Sequence, residues 1–283
     1  MREVAEFRVD EDFAPMLFGD PEGEKLSSVR RIEMDTTDPR FAEIGRLQTE
    51  LRVTRSKPFF YGWRLRRYYA RRELEAASLF RLIVTSYFEP AGEECGTTYD
   101  EATACPCCGA GAQQTGPLCL NVRRIPKGKD IAETIASEVV VSRRLAELFR
   151  QHHVTGAEFL PVRVNRPSGQ ESSEWFQLKV SPATANVVPP TRVGNDPFDD
   201  DPKNEGRCER ADLIGLNMLS AASIDAATRG DADIFCSRQY IGVRRGLLRP
   251  ERLIFLAPRV WRLIASEKLR GGRFEVADLR RIG

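Results

Sequence analysis

The apolar positions of the chain change repeatedly from strand-like to helix-like spacing, which predicts an α+β fold of mixed sheets and short helices. Arg30–Met34 and Phe80–Phe88 have the spacing and residue types of strands. Asp38 followed by Pro39 is typical of a helix N-terminus and predicts a helix that runs to Arg52. A second helix is predicted over Trp63–Ser78.

Two segments of the C-terminal half repeat one pattern. Val140–Val162 and Phe255–Ala277 each read as the end of a strand, a helix with one apolar face, and a glycine just beyond that helix. An offset of 115 positions aligns Arg144 with Arg259 and Gly156 with Gly271. The two helix faces consist of Leu145, Leu148 and Phe149, and of Val260, Leu263 and Ile264. We interpret the segments as related strand–helix–strand units; chance similarity is the alternative.

Length and patterning predict two regions within the 283 residues. Residues 1–125 form an N-terminal α/β region that ends in a cysteine-rich segment at 91–120. Residues 126–283 form an α+β region that holds both related units and a loop at 181–206. That loop is rich in proline and aspartate. Its acidic cluster fits no calcium-loop spacing and is interpreted as solvent-exposed: Asp196, Asp199, Asp200 and Asp201.

Composition narrows the classes of function. Hydrophobic residues make up 41% and charged residues 30%, so the chain can bury a core. The 43 Lys and Arg against 41 Asp and Glu leave a net charge of +2, which disfavours a dedicated nucleic-acid binder. No apolar run is long enough to span a membrane and no secretion signal is visible, so we expect a cytoplasmic protein.

Sequence signatures of enzymes are missing. The only histidines are His152 and His153, which leaves few candidates for a general base. The glycine-rich phosphate-binding loops, the GxSxG nucleophile motif and the HExxH zinc motif do not occur. The chain is therefore predicted not to be an enzyme.

The strongest chemical signal is the stretch Cys105-Pro106-Cys107-Cys108-Gly109. Cys105 and Cys108 have the CPxCG spacing of a zinc knuckle, a tight turn that points two thiolates at one ion. Gly109 permits the left-handed backbone that closes such a turn. The surrounding segment is rich in glycine and too short to hold an apolar core, so a structural Zn²⁺ is predicted to order it.

A closed structural zinc site needs four ligands. Ten residues before the knuckle, Cys95-Gly96 resembles the second half of another knuckle whose first cysteine would stand at Gly92. The predicted ligand set is Cys95, Cys105, Cys108 and Cys119. Cys107, His152 and His153 remain alternatives for the fourth ligand, and a turn that has lost its metal is the alternative to a bound ion. Cys208 and Cys236 are expected to lie outside the site.

A basic, aromatic stretch over residues 52–81 suggests a different activity. Between Arg46 and Arg81 there are ten cationic residues and three acidic ones, interleaved with Phe, Tyr and Trp. Nucleic-acid backbones and unstacked bases favour such a mixture. The preferred interpretation is a helix with an aromatic core face and a solvated arginine face.

The knuckle and the two unit endings, SRRLAELF…TGAEFLPV and PRVWRLI…LRGGRFEV, resemble the proteobacterial double-CXXCG proteins, a family abundant in myxobacteria. The likeness covers Cys95–Val162, with an echo in the last 30 residues. The family's two motifs correspond to Cys105-Cys108-Gly109 and, half preserved, to Cys95-Gly96. The resemblance implies an α+β chain with a small zinc element that acts as an immunity partner of a polymorphic toxin.

Two functional hypotheses follow. The first is a non-catalytic protein-interaction module with a structural zinc knuckle, of the immunity type, that binds and neutralises a toxin protein. The second is a zinc-ribbon protein that binds nucleic acid through residues 52–81. No membrane partner is expected.

Overall fold

The computed structural model describes residues 1–166, 169–198 and 207–282. Strands account for 38% of the chain and helices for 20%, which confirms the α+β class. The chain forms two compact units, one of residues 1–74 and 196–198, the other of residues 75–195 and 207–282. The predicted boundary after residue 125 differs, because Phe80–Val84 is a central strand among C-terminal strands. None of the helices described has the length and apolar character needed to cross a bilayer.

The first unit is a four-stranded antiparallel sheet with one long helix. Its core is aromatic: Phe7 and Phe60 lie with their ring centroids 5.0 Å apart, and Phe198 packs against both. The predicted strand at 30–34 and helix at 39–52 are confirmed as β3 and α1. The sheet order is β2-β3-β1-β4. The elements are β1 (Arg2–Asp10), β2 (Glu24–Leu26), β3 (Val29–Asp35), α1 (Arg40–Arg55), β4 (Phe60–Tyr68) and α2 (Arg71–Ala76).

The helix predicted over Trp63–Ser78 is wrong, because most of its first half is strand β4, and only the six residues of α2 are helical. Strand β4 pairs with β1, and its arginines meet glutamates across the sheet. Arg67 lies 2.8 Å from a carboxylate oxygen of Glu3, and Arg66 lies 3.0 Å from one of Glu6. Opposite charges on neighbouring strands stabilise a sheet. The cross-strand partners therefore decide the structure of this arginine-rich stretch.

The second unit contains seventeen further strands and two helices in its described part. Its first half consists of β5 (Phe80–Val84), β6 (Tyr87–Phe88), β7 (Tyr99–Asp100), β8 (Gln113–Gln114), β9 (Cys119–Leu120), β10 (Ile131–Thr134), β11 (Val139–Ser142), α3 (Arg143–Gln151) and β12 (Ala157–Val164). Its second half consists of β13 (Glu171–Val180), β14 (Ala183–Ala185), β15 (Val193–Gly194), β16 (Asn217–Met218), β17 (Ser223–Asp225), β18 (Ile234–Ile241), β19 (Glu251–Leu256), α4 (Pro258–Ser266), β20 (Gly272–Val276) and β21 (Asp278–Arg280).

These two halves are copies of one arrangement. The first sheet has the order β6-β10-β11-β13-β12-β9, and the second has the order β14-β18-β19-β5-β20. In the second half, β21 follows β20 and pairs in parallel with β17, as β12 pairs in parallel with β9. The duplication therefore extends from residue 80 to residue 280, well beyond the two units recognised at an offset of 115.

The two copies exchange one strand. β5 belongs by chain order to the first copy but lies between β19 and β20 of the second, whereas β13 lies between β11 and β12 of the first. The exchanged strands have related sequences, FRLIV and FQLKV, at Phe80–Val84 and Phe176–Val180. Each sheet is thus completed by a strand from the other copy.

The ends of α3 and α4 lock against the opposite copy. Gly156 and Gly271 have φ values of +86° and +110°, which confirms the predicted left-handed position after each helix. A Cβ on Gly156 would lie 1.9 Å from the carbonyl oxygen of Ile234, and one on Gly271 would lie 1.8 Å from that of Ile131. Only glycine fits at either position.

Two arginines at equivalent positions of α3 and α4 each donate a hydrogen bond to a backbone carbonyl of the opposite copy. Arg144 of α3 donates to the carbonyl of Glu267 beyond α4, at 2.7 Å. Arg259 of α4 donates to the carbonyl of His152 beyond α3, at 3.2 Å. The predicted helix faces are buried at Leu145, Phe149, Val260 and Ile264 and half-buried at Leu148 and Leu263. These observations confirm that the two strand–helix–strand units are equivalent.

We expect Gly156→Ala and Gly271→Ala to lower the free energy of unfolding by much more than left-handed strain alone, because the new methyl group meets a backbone carbonyl. Gly128→Ala is the matched control, since Gly128 also has a positive φ, of +69°, but no atom within 4 Å of the added Cβ. That control should lose about 1–2 kcal/mol. Urea denaturation measures all three, and equal losses would contradict the interlocked helix ends.

Candidate metal centre

The predicted knuckle is a closed turn between β7 and β8. The N–H of Cys105 donates to the carbonyl of Ala110 at 2.7 Å, and the N–H of Gly109 donates to the carbonyl of Cys105 at 2.8 Å. Gly109 has the expected left-handed backbone, with φ +76°. The sequence Cys105–Gly109 therefore forms the turn that its spacing predicts.

A second turn of the same construction lies between β15 and β16 and begins at Cys208. The N–H of Cys208 donates to the carbonyl of Leu213 at 3.0 Å, as Cys105 does to Ala110. Asp212 has φ +52° at the position equivalent to Gly109. An offset of 103 positions relates the two turns, and the same offset relates Ile131 to Ile234 at the start of β10 and β18. The two turns are thus equivalent parts of the two copies.

Three thiols from these turns converge on one point. The sulfur atoms of Cys105, Cys108 and Cys208 all lie within 4.8 Å of one another. The sulfurs of Cys105 and Cys208 are 3.6 Å apart. Zinc–sulfur bonds of about 2.3 Å place the sulfurs of a tetrahedral site about 3.8 Å apart. The three thiols therefore have the spacing of ligands to a single ion.

A small apolar cluster supports the thiols. Cys108 is buried, and Cys105 and Cys208 are half-buried. The buried side chains of Ala110 and Leu213 occupy equivalent positions in the two turns, and the ring of Tyr240 packs against them. The N–H of Arg244 donates to the carbonyl of Cys108 at 3.0 Å, which fixes the end of the first turn.

The first turn favours a thiolate at Cys105. Backbone N–H groups of Cys108 and Cys107 point at its sulfur and lower the pKa of Cys105 to about 7. Burial has the opposite effect on its neighbour and raises the pKa of Cys108 to about 11. A cation at the centre of the cluster would hold both groups as thiolates, since metal binding requires the deprotonated form.

The structure brings together two of the four predicted ligands, Cys105 and Cys108, and leaves the other two outside the thiol cluster. Cys95 ends the short turn Glu93–Cys95, and Cys119 lies in the edge strand β9, where its N–H donates to the hydroxyl of Thr97 at 2.9 Å. Neither joins the thiol cluster. Cys208, which was expected to lie outside the site, joins it instead.

The remaining alternatives for the fourth ligand also lie outside the cluster. Cys107 is exposed, and His152 and His153 follow the C-terminus of α3. Cys236 is buried in β18, with its sulfur 3.7 Å from the carbonyl of Val180. The acidic residues Asp199, Asp200 and Asp201 lie outside the described residues, and their assignment to an exposed loop stays a prediction. Asp196 was also expected to be solvent-exposed, but it is half-buried, because its carboxylate accepts a hydrogen bond from the N–H of Phe198 at 2.9 Å.

A second feature of this unit is a cavity of about 420 Å³ that is lined by residues of both the six-stranded and the five-stranded sheet. Its lining includes the carboxyl groups of Glu133 and Glu251 and the ammonium group of Lys179. Burial, together with the charge of Glu251, raises the pKa of Glu133 to about 8. Burial also raises the pKa of Glu251 and lowers that of Lys179. The cavity thus holds several groups whose charged forms are poorly solvated.

The raised pKa of Glu133 predicts a pH-dependent stability. Between its ordinary pKa of 4.5 and about 8, Glu133 is protonated in the folded chain and ionised in the unfolded chain. The free energy of unfolding should therefore fall as pH rises through that window. In Glu133→Gln this fall should be smaller, whereas Glu147→Gln, at an exposed position of α3, should retain it. Urea denaturation across the window measures both, and an unchanged fall in Glu133→Gln would refute the assignment.

The thiol cluster predicts how metal binding depends on single cysteines. Cys208→Ser should lose most of the bound zinc, because it removes one of three converging thiolates, and its thermal stability should fall. Cys119→Ser should keep about one zinc per chain, the content that we also expect for the wild-type chain. Metal analysis after purification without chelator gives the stoichiometry. Loss of zinc from Cys119→Ser with retention in Cys208→Ser would restore the ligand set expected from sequence.

Comparison with known proteins assigns no family to the chain. No protein-family model matches it, and no curated protein matches it. Function is therefore inferred from the residues of the chain itself.

Proposed function

We propose that Cys105, Cys108 and Cys208 hold one structural Zn²⁺ in a non-catalytic, cytoplasmic protein that acts by binding another protein. The observation that carries this proposal is the convergence of the three sulfurs within 4.8 Å from turns that belong to different copies of the repeat. The ion would link two segments that lie 103 positions apart in sequence.

The donor set supports zinc and a structural role. Three thiolates in a tight turn geometry suit a soft or borderline divalent ion, and zinc is the commonest such ion in structural sites. In the described part of the chain, the cluster of candidate ligands contains no histidine and no carboxylate. An acid or base that would activate a zinc-bound water is therefore not part of the cluster. Ala110 and Leu213 give the two turns only a small apolar core, so the ion would supply much of their folding energy.

The resemblance to the double-CXXCG proteins supports a protein partner of the toxin class. The Cys208 turn is a better counterpart of that family's second motif than Cys95-Gly96 is, because its backbone has the hydrogen bond and the left-handed residue of a knuckle. All seven cysteines have free thiols, which is the form that a reducing cytoplasm maintains.

The alternative, nucleic-acid binding through residues 52–81, has weaker support. Arg66 contacts the carboxylates of Glu6 and Glu33, and Arg67 contacts that of Glu3. Phosphates would have to compete with these internal partners. The arginines of β4 are better explained as cross-strand partners of the first unit's own sheet.

A binding and rescue experiment tests the proposed function. The tagged wild-type chain should capture one protein from a lysate of its native host, and the purified pair should form a stoichiometric complex in calorimetry. Co-expression with the wild-type chain should relieve the growth defect that the captured protein causes. Cys108→Ser should give weaker rescue because the turns lose their ion, and Cys119→Ser should rescue fully.

The contrary result is capture of nucleic acid without a protein partner. Binding that weakens steeply with salt and is lost on replacing Arg71 and Arg72 by Gln would establish the nucleic-acid alternative.

A further inference from the structure

The second turn lacks the second thiol of the CxxC pair that the first turn has. At the offset of 103 positions, Cys105 aligns with Cys208, and Cys108 aligns with Ala211. The backbone of the two turns is alike on both sides of this position, with equivalent hydrogen bonds from Cys105 and Cys208 and left-handed residues at 109 and 212. Ala211 packs against the thiol cluster. A methyl group therefore stands where the repeat would place a fourth sulfur.

Other donors of the described residues do not fill the gap. The cluster of His, Cys, Asp and Glu side chains within 4.8 Å has three members in that part of the chain. Among the nearest candidates in sequence, Cys107 and Glu209 are exposed, and Asp212 lies 3.6 Å from the guanidinium group of Arg238. Within the part of the chain that the structure describes, the site thus offers three protein ligands to an ion that takes four.

The gap is accessible from solvent. Ala211, Cys105 and Cys208 are all half-buried rather than enclosed, and Arg207 and Arg210, on either side of Cys208 and Glu209, are exposed. Three thiolates on Zn²⁺ leave a net charge of −1 at the centre, which repels a further anion. The positive charges of the two arginines reduce this repulsion. These two arginines, which flank Cys208 in sequence, therefore make the open position more tolerant of an anionic donor.

We propose that the zinc ion keeps its fourth position open beside Ala211 and exchanges the water there for an external thiolate. In this exchange the thiol gives its proton to solvent, a sulfur–zinc bond forms and the zinc–water bond breaks, with no change of oxidation state. The proposal rests on the zinc site proposed above. It makes the centre a place where a small thiol, or a cysteine with a free thiol, can attach reversibly.

Cobalt substitution tests the open position, because thiolate-to-cobalt charge-transfer absorption increases with the number of coordinating thiolates. Adding 2-mercaptoethanol to the Co²⁺-loaded wild-type chain should raise this absorption by about one third, from three thiolates to four. Ala211→Cys should start at the higher value and not respond to the added thiol. Ala211→Ser, the matched control without a soft donor, should respond as the wild-type chain does.

Each contrary result has a distinct meaning. The open position would be overturned if the wild-type spectrum did not change on adding the thiol. It would also be overturned if the wild-type chain already had four-thiolate absorption and Cys107→Ser lowered it to the three-thiolate intensity. Either result would leave the zinc site intact. An Ala211→Cys spectrum with three-thiolate intensity would overturn the equivalence of Ala211 and Cys108 on which the open position depends. Failure of the wild-type chain to bind cobalt or zinc at all would overturn the proposed zinc site and the open position with it.

Discussion

The second unit depends on one constraint: each copy of the repeat supplies a central strand to the sheet of the other. β5 is flanked by β19 and β20, and β13 by β11 and β12, so both sheets are incomplete until the two copies have met. The glycines after α3 and α4 then fit against the first residues of β18 and β10 in the opposite copy, where a side chain would strike a carbonyl. The turns that carry the cysteines are insertions in this interlocked frame, and the frame brings them together.

Part of the fold was predictable because its constraints are local. The helices α3 and α4, their buried faces and their terminal glycines recur at a single offset of 115 positions. The rest of the duplication is hard to detect in the sequence, because its offsets differ from 115 positions. They are 96 for the exchanged strands and 103 for the cysteine turns. Unequal connections cause these changes, above all the longer one between β18 and β19. The error at Trp63–Ser78 has another origin, because cross-strand glutamates outweigh the local preference for helix there.

In the thiol cluster, too, the ligands marked by a local motif were predictable and the ligand distant in sequence was not. Cys105 and Cys108 were predictable from a five-residue motif whose turn geometry needs no other part of the fold. Cys95 and Cys119 were chosen because they are near in sequence, yet proximity along the chain says little about proximity in space. Cys208 belongs to a turn that has a single cysteine in place of a CxxC pair, so no motif marks it. The useful signal was the shared offset of 103 positions that aligns Asp130-Ile131 with Asp233-Ile234 and Cys105 with Cys208.

We propose that one metal ion couples equivalent turns of the two interlocked copies. Hydrogen exchange of backbone amides, measured with and without a zinc chelator, tests it most directly. The account predicts that chelation speeds exchange together at residues 105–110 and 208–213, whereas the amides of β10 and β18 stay protected. Faster exchange at 105–110 alone, with 208–213 unchanged, would contradict a shared ion and leave the second turn without a role in metal binding.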